Sequence, residues 1–250
     1  MAGSGAIRKK ARALDHSLLY TSWSPRTIPH RMRIKAIVRY VDSLDLPERP
    51  AYADLGCSNG FITQIIADRT QASPADGYDA IDGQLEEGRE RHPELTFNKI
   101  NLNQPTPELT QRYDFVTCLE TVEHVGVPES AIKNTLDAVK PGGIALVTVP
   151  IETGLIGIGK YLIKGCMGVV LRQKSYFTTE LHPDPWLWFR YLGTLLTGGD
   201  ISQYRNARES WGTHYGFDYR LVDRVLTEVG APYRRFKVGS TMFYEVSPGS

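Results

Sequence analysis

Cysteine is scarce in this sequence: three among 250 residues, Cys57, Cys118 and Cys166. An odd count without paired spacing supplies neither a disulfide framework nor a zinc knuckle, and it points to a reducing compartment, the cytoplasm. An excess of one charge is also missing. Lys and Arg number 29 against 28 Asp and Glu, a net of +1. The chain is therefore not built mainly to hold a polyanion, and nucleic acid is not the expected partner. No apolar run approaches the roughly 20 residues that a membrane-spanning helix needs. The first 14 residues are small and basic (Arg8, Lys9, Lys10, Arg12) with no apolar run behind them, unlike a signal peptide. Residues 1–15 read as a flexible basic tail and 16–250 as one domain. Internal repeats are absent.

What is present is an alternating series. From His30 to Leu44 the apolar residues Ile34, Ile37, Val38, Val41 and Leu44 recur at helical spacing, and the Pro47–Pro50 stretch ends that helix. Ala51–Leu55 reads as a short strand and Phe61–Asp68 as a helix. Gly77–Ile81 is a second strand, Leu85–Arg91 a charged helix, Leu95–Ile100 a third strand and Asp114–Leu119 a fourth. A helix over Glu129–Val139 is stopped by Lys140-Pro141-Gly142-Gly143, and Ile144–Val149 is the fifth strand. Strands alternating with helices mean a doubly wound parallel sheet. Residues 151–210, rich in glycine and aromatics, lack a clean period and read as a lid or acceptor insertion. A helix near Tyr219–Val229 and two β-rich runs, Tyr233–Val238 and Thr241–Val246, close the chain.

The chemistry gathers at strand ends, where open α/β sheets bind ligands. Asp54-Leu55-Gly56-Cys57-Ser58-Asn59-Gly60 leaves the first strand and enters a helix. Its glycines allow a sharp turn and close approach of backbone to a ligand. The spacing is Gly-x-x-x-Gly. Ser58 stands where a dinucleotide fingerprint wants its second glycine, and no Gly-Lys-Ser/Thr follows, so neither an NAD site nor a P-loop is indicated. About twenty residues on, Asp79 follows Gly77-Tyr78, and a carboxylate there can accept hydrogen bonds from both hydroxyls of a ribose. Asp82 is the competing acid. Singly, the turn reads as structural and the Asp as a helix cap; together they indicate a nucleoside site.

Asp-Leu-Gly-Cys-x-x-Gly, Gly-Tyr-Asp, Tyr-Asp-Phe-Val-Thr-Cys-Leu-Glu-Thr-Val-Glu-His-Val and Leu-x-x-x-x-Lys-Pro-Gly-Gly, in that order, resemble the class I S-adenosylmethionine (SAM)-dependent methyltransferases closely over residues 51–150 and in outline over 215–246. The resemblance implies a Rossmann-like sheet of seven strands with the last antiparallel. It implies that Gly56, Cys57 and Gly60 pass the SAM methionine portion, that Asp54 supports the turn and the SAM amine, and that Asp79 holds the ribose. It also sets Asn101 and Leu102 by the adenine, with Asn101 where the family often has Asp. Within the class the chain is similar to the ubiquinone-biosynthesis O-methyltransferase group, through Pro29-His30-Arg31-Met32-Arg33 and the apolar, basic insertion after the fifth strand. Arg33 and Glu120 join the expected cofactor contacts.

Methyl transfer from a sulfonium needs alignment of acceptor and methyl, and a base where the acceptor is a hydroxyl. Glu120-Thr121-Val122-Glu123-His124 ends the fourth strand, facing the methyl, and three readings of it stand. Glu123-His124 serves packing, SAM contact and capping; or His124 is the general base, its pKa suiting the task, with Glu123 and His214 beside it; or Glu120, Glu123 and His124, with His182 or His214, hold Mg²⁺ or Mn²⁺. The last pattern resembles the small-RNA 2′-O-methyltransferases.

The acceptor side is apolar and basic. Within 153–174, Lys160, Lys164, Arg172 and Lys174 interrupt a hydrophobic run, which is either a lid helix packed on its own domain or a peripheral membrane contact. Trp186, Trp188, Phe189, Tyr191, Trp211 and Tyr215 are core aromatics or an acceptor pocket. The expected function is O-methylation of a small hydrophobic or sugar-bearing metabolite. A metal-dependent 2′-O-methyltransferase of RNA or a polar sugar, and a non-catalytic SAM-binding scaffold, are the alternatives.

Overall fold

Every residue of Tyr52–Leu55 (β1) is buried, as expected of a central strand covered by helices on both faces. The computed structural model describes residues 27–170, 185–205 and 216–248, with the backbone alone for 164–170 and 185. Around β1 the chain runs α1 (Ile28–Val41), α2 (Phe61–Thr70), β2 (Ala75–Asp79), α3 (Asp82–Arg91), β3 (Thr96–Lys99), β4 (Tyr113–Leu119), α4 (Pro128–Asp137) and β5 (Val139–Pro150). It continues with α5 (Gly154–Val170), α6 (Pro185–Thr197), α7 (Arg220–Glu228), β6 (Tyr233–Val238) and β7 (Thr241–Val246). The expected tail, 1–15, lies outside the described residues.

One seven-stranded sheet has the order β3-β2-β1-β4-β5-β7-β6. The first five strands are parallel, and β7 runs antiparallel to both β5 and β6. Alternate side chains feed two cores. Tyr52, Phe115, Leu146 and Phe243 face α1 and α2 through Ile37, Val41 and Ile66. Ala53, Val116, Val147 and Tyr244 face α4 and α7 through Ile132, Val222 and Val225. A smaller cluster of Tyr161, Tyr191, Leu195 and Ile201 joins α5 to α6. The strand order reverses between β1 and β4, so the crevice above their carboxyl ends is open for a ligand.

Three expectations change. The second strand ends at Asp79, and Ile81 is already the N-cap of α3. Lys140-Pro141-Gly142-Gly143 ends α4, but it lies inside β5. Tyr113 pairs with Val139 and Phe115 with Ile144, so two steps on β4 oppose five on β5, and the glycines carry that bulge with Gly142 at φ +80°. Within 151–210, where no period was read, the described residues form two helices, whose aromatics and glycines blur the usual polar face.

Leu146 is fully buried in β5 at the middle of the sheet. Leu146→Ala is expected to cost about 2–5 kcal/mol of unfolding free energy, read as a lowered denaturation midpoint with an unchanged slope.

Candidate functional site

The turn after β1 is held by left-handed backbone. Gly56 has φ +89° and Gly60 φ +77°, with Ser58 at +53° between them. A Cβ on Gly56 would lie 2.2 Å from Thr121 Oγ1, and one on Gly60 2.5 Å from the Phe97 ring, so neither position tolerates a side chain. The Gly56 and Cys57 amides both donate to the Tyr78 carbonyl, at 2.7 and 3.0 Å, tying the turn to β2. From α3, Gln84 accepts from the Ser58 hydroxyl and Glu87 from the Asn59 amide. Cys57 packs its buried thiol against Gly77, and burial pushes that thiol's pKa well up. Cys57 therefore serves the turn as packing and not as a reactive group.

Asp54 lies beneath the turn, 3% exposed. Its Oδ2 accepts from Thr63 Oγ1 at 2.6 Å and its Oδ1 from Thr117 Oγ1 at 2.7 Å. Burial pushes the carboxyl up to about 6; the two hydroxyls hold it down, and the Asp79 charge raises it further. The groups that act on it are two hydroxyls and a second carboxylate. A buried carboxylate with hydroxyl donors alone is a site to which a cationic ligand group adds stabilisation. This deficit and the bare glycine turn both fit SAM, whose methionine end carries an ammonium.

Asp79, 2% exposed, ends β2 with Oδ2 accepting from the Ser58 amide at 2.8 Å and Oδ1 from the Ile81 amide at 2.9 Å. Asp79 thus both fixes the turn that leads into α3 and lines a cleft of about 570 Å³. Gly56, Thr121 and His124 are at that cleft's β1–β4 end, and Lys99, Asn101, Leu102 and Asn103 are at its β3 end. Strands sit about 4.8 Å apart, so the four strand ends span roughly 14 Å, enough for a nucleoside with an amino-acid tail. The competing acid, Asp82, is exposed and paired with Lys99 at 2.7 Å. Asn101 is at the expected place, but its Oδ1 accepts from the Asn103 amide and side chain, at 3.1 and 2.9 Å. It shapes the turn beside Leu102.

At the end of β4 the expected acidic cluster is dispersed. Glu120 has φ +50° and reaches α1, where its carboxylate meets Arg33 Nη1 at 2.8 Å; Arg33 Nε also donates to Thr241. Glu123, on the 3₁₀ turn Val122–His124, is fully buried. His124 points into the cleft, its Nε2 3.9 Å from Glu123 Oε1. Among the described residues no three His, Cys, Asp or Glu side chains are grouped to hold a metal. The reading of an Mg²⁺ or Mn²⁺ site at Glu120, Glu123 and His124 is corrected accordingly: Glu120 turns to Arg33, while Glu123 is buried beside His124. His182 and His214 lie outside the described residues.

Sequence reasoning missed Thr63 and Thr117. Thr117 is a lone polar residue within the apolar run of β4, and that was its available signal. Arg205 donates through Nη2 to the carbonyls of Glu123 and Val125, at 3.2 and 2.6 Å, on either side of His124. It lies over the Phe217 ring, and burial lowers its pKa while the Glu123 and Glu129 charges raise it. It follows the 3₁₀ turn Ser202–Tyr204, whose Tyr204 packs on Tyr191 of α6. The helices after β5 are thereby tied to the turn carrying His124.

Asp79→Ala removes the carboxylate proposed for the ribose. It is expected to weaken binding of S-adenosylhomocysteine (SAH) about 100-fold, on the order of two charge-assisted hydrogen bonds. Titration calorimetry measures this, and undiminished affinity would move the ribose elsewhere.

Comparison with known proteins agrees with this geometry. Residues 53–145 match a family described as a methyltransferase domain. The ubiquinone biosynthesis O-methyltransferase of Stutzerimonas stutzeri is 33% identical over 94 residues, 36% of this chain and 40% of that protein. The trans-aconitate 2-methyltransferase of Rhizobium meliloti is 36% identical over 108 residues, 42% of this chain and 40% of that one. The chain thus spans about two fifths of the length of these curated relatives. The magnesium protoporphyrin IX methyltransferase of Synechocystis, solved with bound SAH, shares the fold at TM-score 0.58 and 14% identity, over 94% of this chain and 92% of that one. Residues 53–145, which hold β1 to β4 and the turns described above, are thus similar to a methyltransferase domain, in a sheet that shares its fold with a solved methyltransferase.

Proposed function

We propose that the chain transfers the SAM methyl group to a hydroxyl of a small, hydrophobic acceptor. The observation that carries this reading is the placement of His124, inside the nucleoside cleft at the end lined by Gly56 and Thr121. SAM supplies an activated methyl on a sulfonium. This chain's residues do the rest. Asp79 holds the ribose, Leu102 and the Asn101–Asn103 turn flank the adenine, and Gly56 and Gly60 admit the methionine portion over Asp54. Arg33 and Glu120, paired at 2.8 Å, close the methionine side. His124 Nε2 or Nδ1 takes the acceptor's proton as the new bond forms. Arg205, gripping the carbonyls before and after His124, fixes where the imidazole stands.

An apolar acceptor is supported by the two helices after β5. Leu155 and Ile163 of α5 and Trp186, Phe189 and Leu196 of α6 are all more than half exposed. The 153–174 stretch also brings Lys160, Lys164, Arg172 and Lys174. A lid that meets an apolar ligand, or contacts a membrane from which that ligand is drawn, would present this composition. Among the described residues no helix is long and apolar enough to cross a membrane. The relatives' names, a ubiquinone-pathway O-methyltransferase and an aconitate methyltransferase, agree with small-molecule acceptors.

The test incubates the protein with methyl-labelled SAM and a cell extract containing lipids, polar metabolites and RNA, with and without chelator. Label is expected in the organic phase, insensitive to chelation. Label confined to RNA or polar sugar would overturn the hydrophobic acceptor, and loss on chelation would restore a metal. Once an acceptor is in hand, His124→Asn is expected to lower kcat by about 10²- to 10⁴-fold with SAH affinity preserved; an unchanged kcat would remove His124 as base.

A further inference from the structure

The hydroxyls beneath the glycine turn have a direction. Thr117 Oγ1 donates to Asp54 Oδ1, which spends its single proton. The 2.8 Å contact between Tyr52 and Thr117 must then have the Tyr52 hydroxyl as donor. Tyr52 and Thr117 are fully buried, and burial keeps the Tyr52 phenol protonated. The chain of protons therefore runs Tyr52 to Thr117 to Asp54. A hydroxyl aimed at Oδ1 binds a carboxylate more strongly than a neutral acid, so this chain of donors favours the ionised form.

We propose that Thr117 and Tyr52 are positioning residues for the amino group of the methyl donor: they hold Asp54 as a hydrogen-bond acceptor, and through it they select ligands that carry the methionine ammonium. This rests on the reading of the cleft as a SAM site. It goes further by assigning discrimination to two residues that never touch the ligand. The titratable neighbours around Asp54 are Tyr52 on β1, Cys57 in the turn, Asp79 on β2 and Cys118 on β4. The phenol and both thiols are pushed above their ordinary ranges by burial, so they stay neutral through the working pH range. Asp54 itself is raised to about 6. An ammonium pairs only with its ionised form, so affinity for such ligands is full above that pH and falls as pH drops through it. Loss of the Thr117 donor raises the carboxyl further and moves this fall to higher pH.

The experiment is titration calorimetry of the full chain between pH 5 and pH 8 with three probes. SAH has the ammonium and carboxylate, decarboxylated SAM keeps only the ammonium, and 5′-methylthioadenosine has neither. Wild type is expected to lose affinity for the first two below about pH 6 and to bind the third independently of pH. For a one-unit rise in the Asp54 pKa, Thr117→Val is expected to weaken SAH and decarboxylated SAM about fivefold at pH 6 and less than twofold at pH 8. Methylthioadenosine is expected to be unaffected, and Thr117→Ser to restore the wild-type profile. Tyr52→Phe, which removes one hydroxyl and little volume, is expected to act in the same direction, and it decides the matter if Thr117→Val does not fold. Equal losses on all three probes, losses independent of pH, or no loss at all would overturn the proposal. Failure of wild type to bind SAH would instead overturn the SAM reading of the cleft.

Discussion

Two carboxylates set side by side at the ends of adjacent parallel strands govern this site. Asp54 and Asp79 are both almost fully buried, and each raises the electrostatic cost of the other's charge. Two threonine hydroxyls donate to Asp54 and hold its pKa down against burial, and backbone amides of Ser58 and Ile81 donate to Asp79. Those same donors tie down the glycine turn, in which left-handed Ser58 gives its amide to Asp79. Ligand binding and loop conformation therefore share their hydrogen bonds. A cationic, hydroxyl-bearing ligand relieves what the fold leaves incompletely balanced.

Sheet topology converts that local chemistry into a directional cleft. With β3, β2, β1 and β4 as neighbours, successive strand ends present an Asn turn, a buried carboxylate, a glycine turn and a histidine. In the proposed reading, the methyl donor lies across them with its base, sugar, amino acid and methyl group in that order. The cost of holding Glu120 at φ +50° is offset at this place by its ion pair with Arg33, which also binds Thr241 on β7. Helix α1 is thus attached to both halves of the sheet at the reacting end.

Legibility in the sequence followed the range of the interactions. The glycine turn, Asp79 and the closing hairpin were readable because each depends on neighbours in the chain: a turn residue, a strand end, an alternating run. The two helices after β5 were not, since Tyr161, Tyr191 and Leu195 bury against one another and leave apolar residues such as Leu155 and Trp186 exposed, which erases amphipathic contrast. The supposed metal cluster failed for a related reason. Closeness of Glu120, Glu123 and His124 in sequence says nothing of side-chain direction, and left-handed Glu120 turns to Arg33, away from the 3₁₀ turn that carries the other two. Thr117 and Thr63 were illegible because their roles exist only once β4 and α2 are packed against β1.

Arg205 links two parts of the chain. The helices after β5 form a separate small core of aromatic side chains, joined to the sheet where one guanidinium grips two carbonyls beside His124. An acceptor that shifts α5 or α6 moves Tyr204, which neighbours Arg205, and with it the peptide groups that orient the imidazole. Substrate choice can then change by repacking the aromatic core, while the base is re-aimed through backbone hydrogen bonds that any sequence at Glu123 or Val125 would supply.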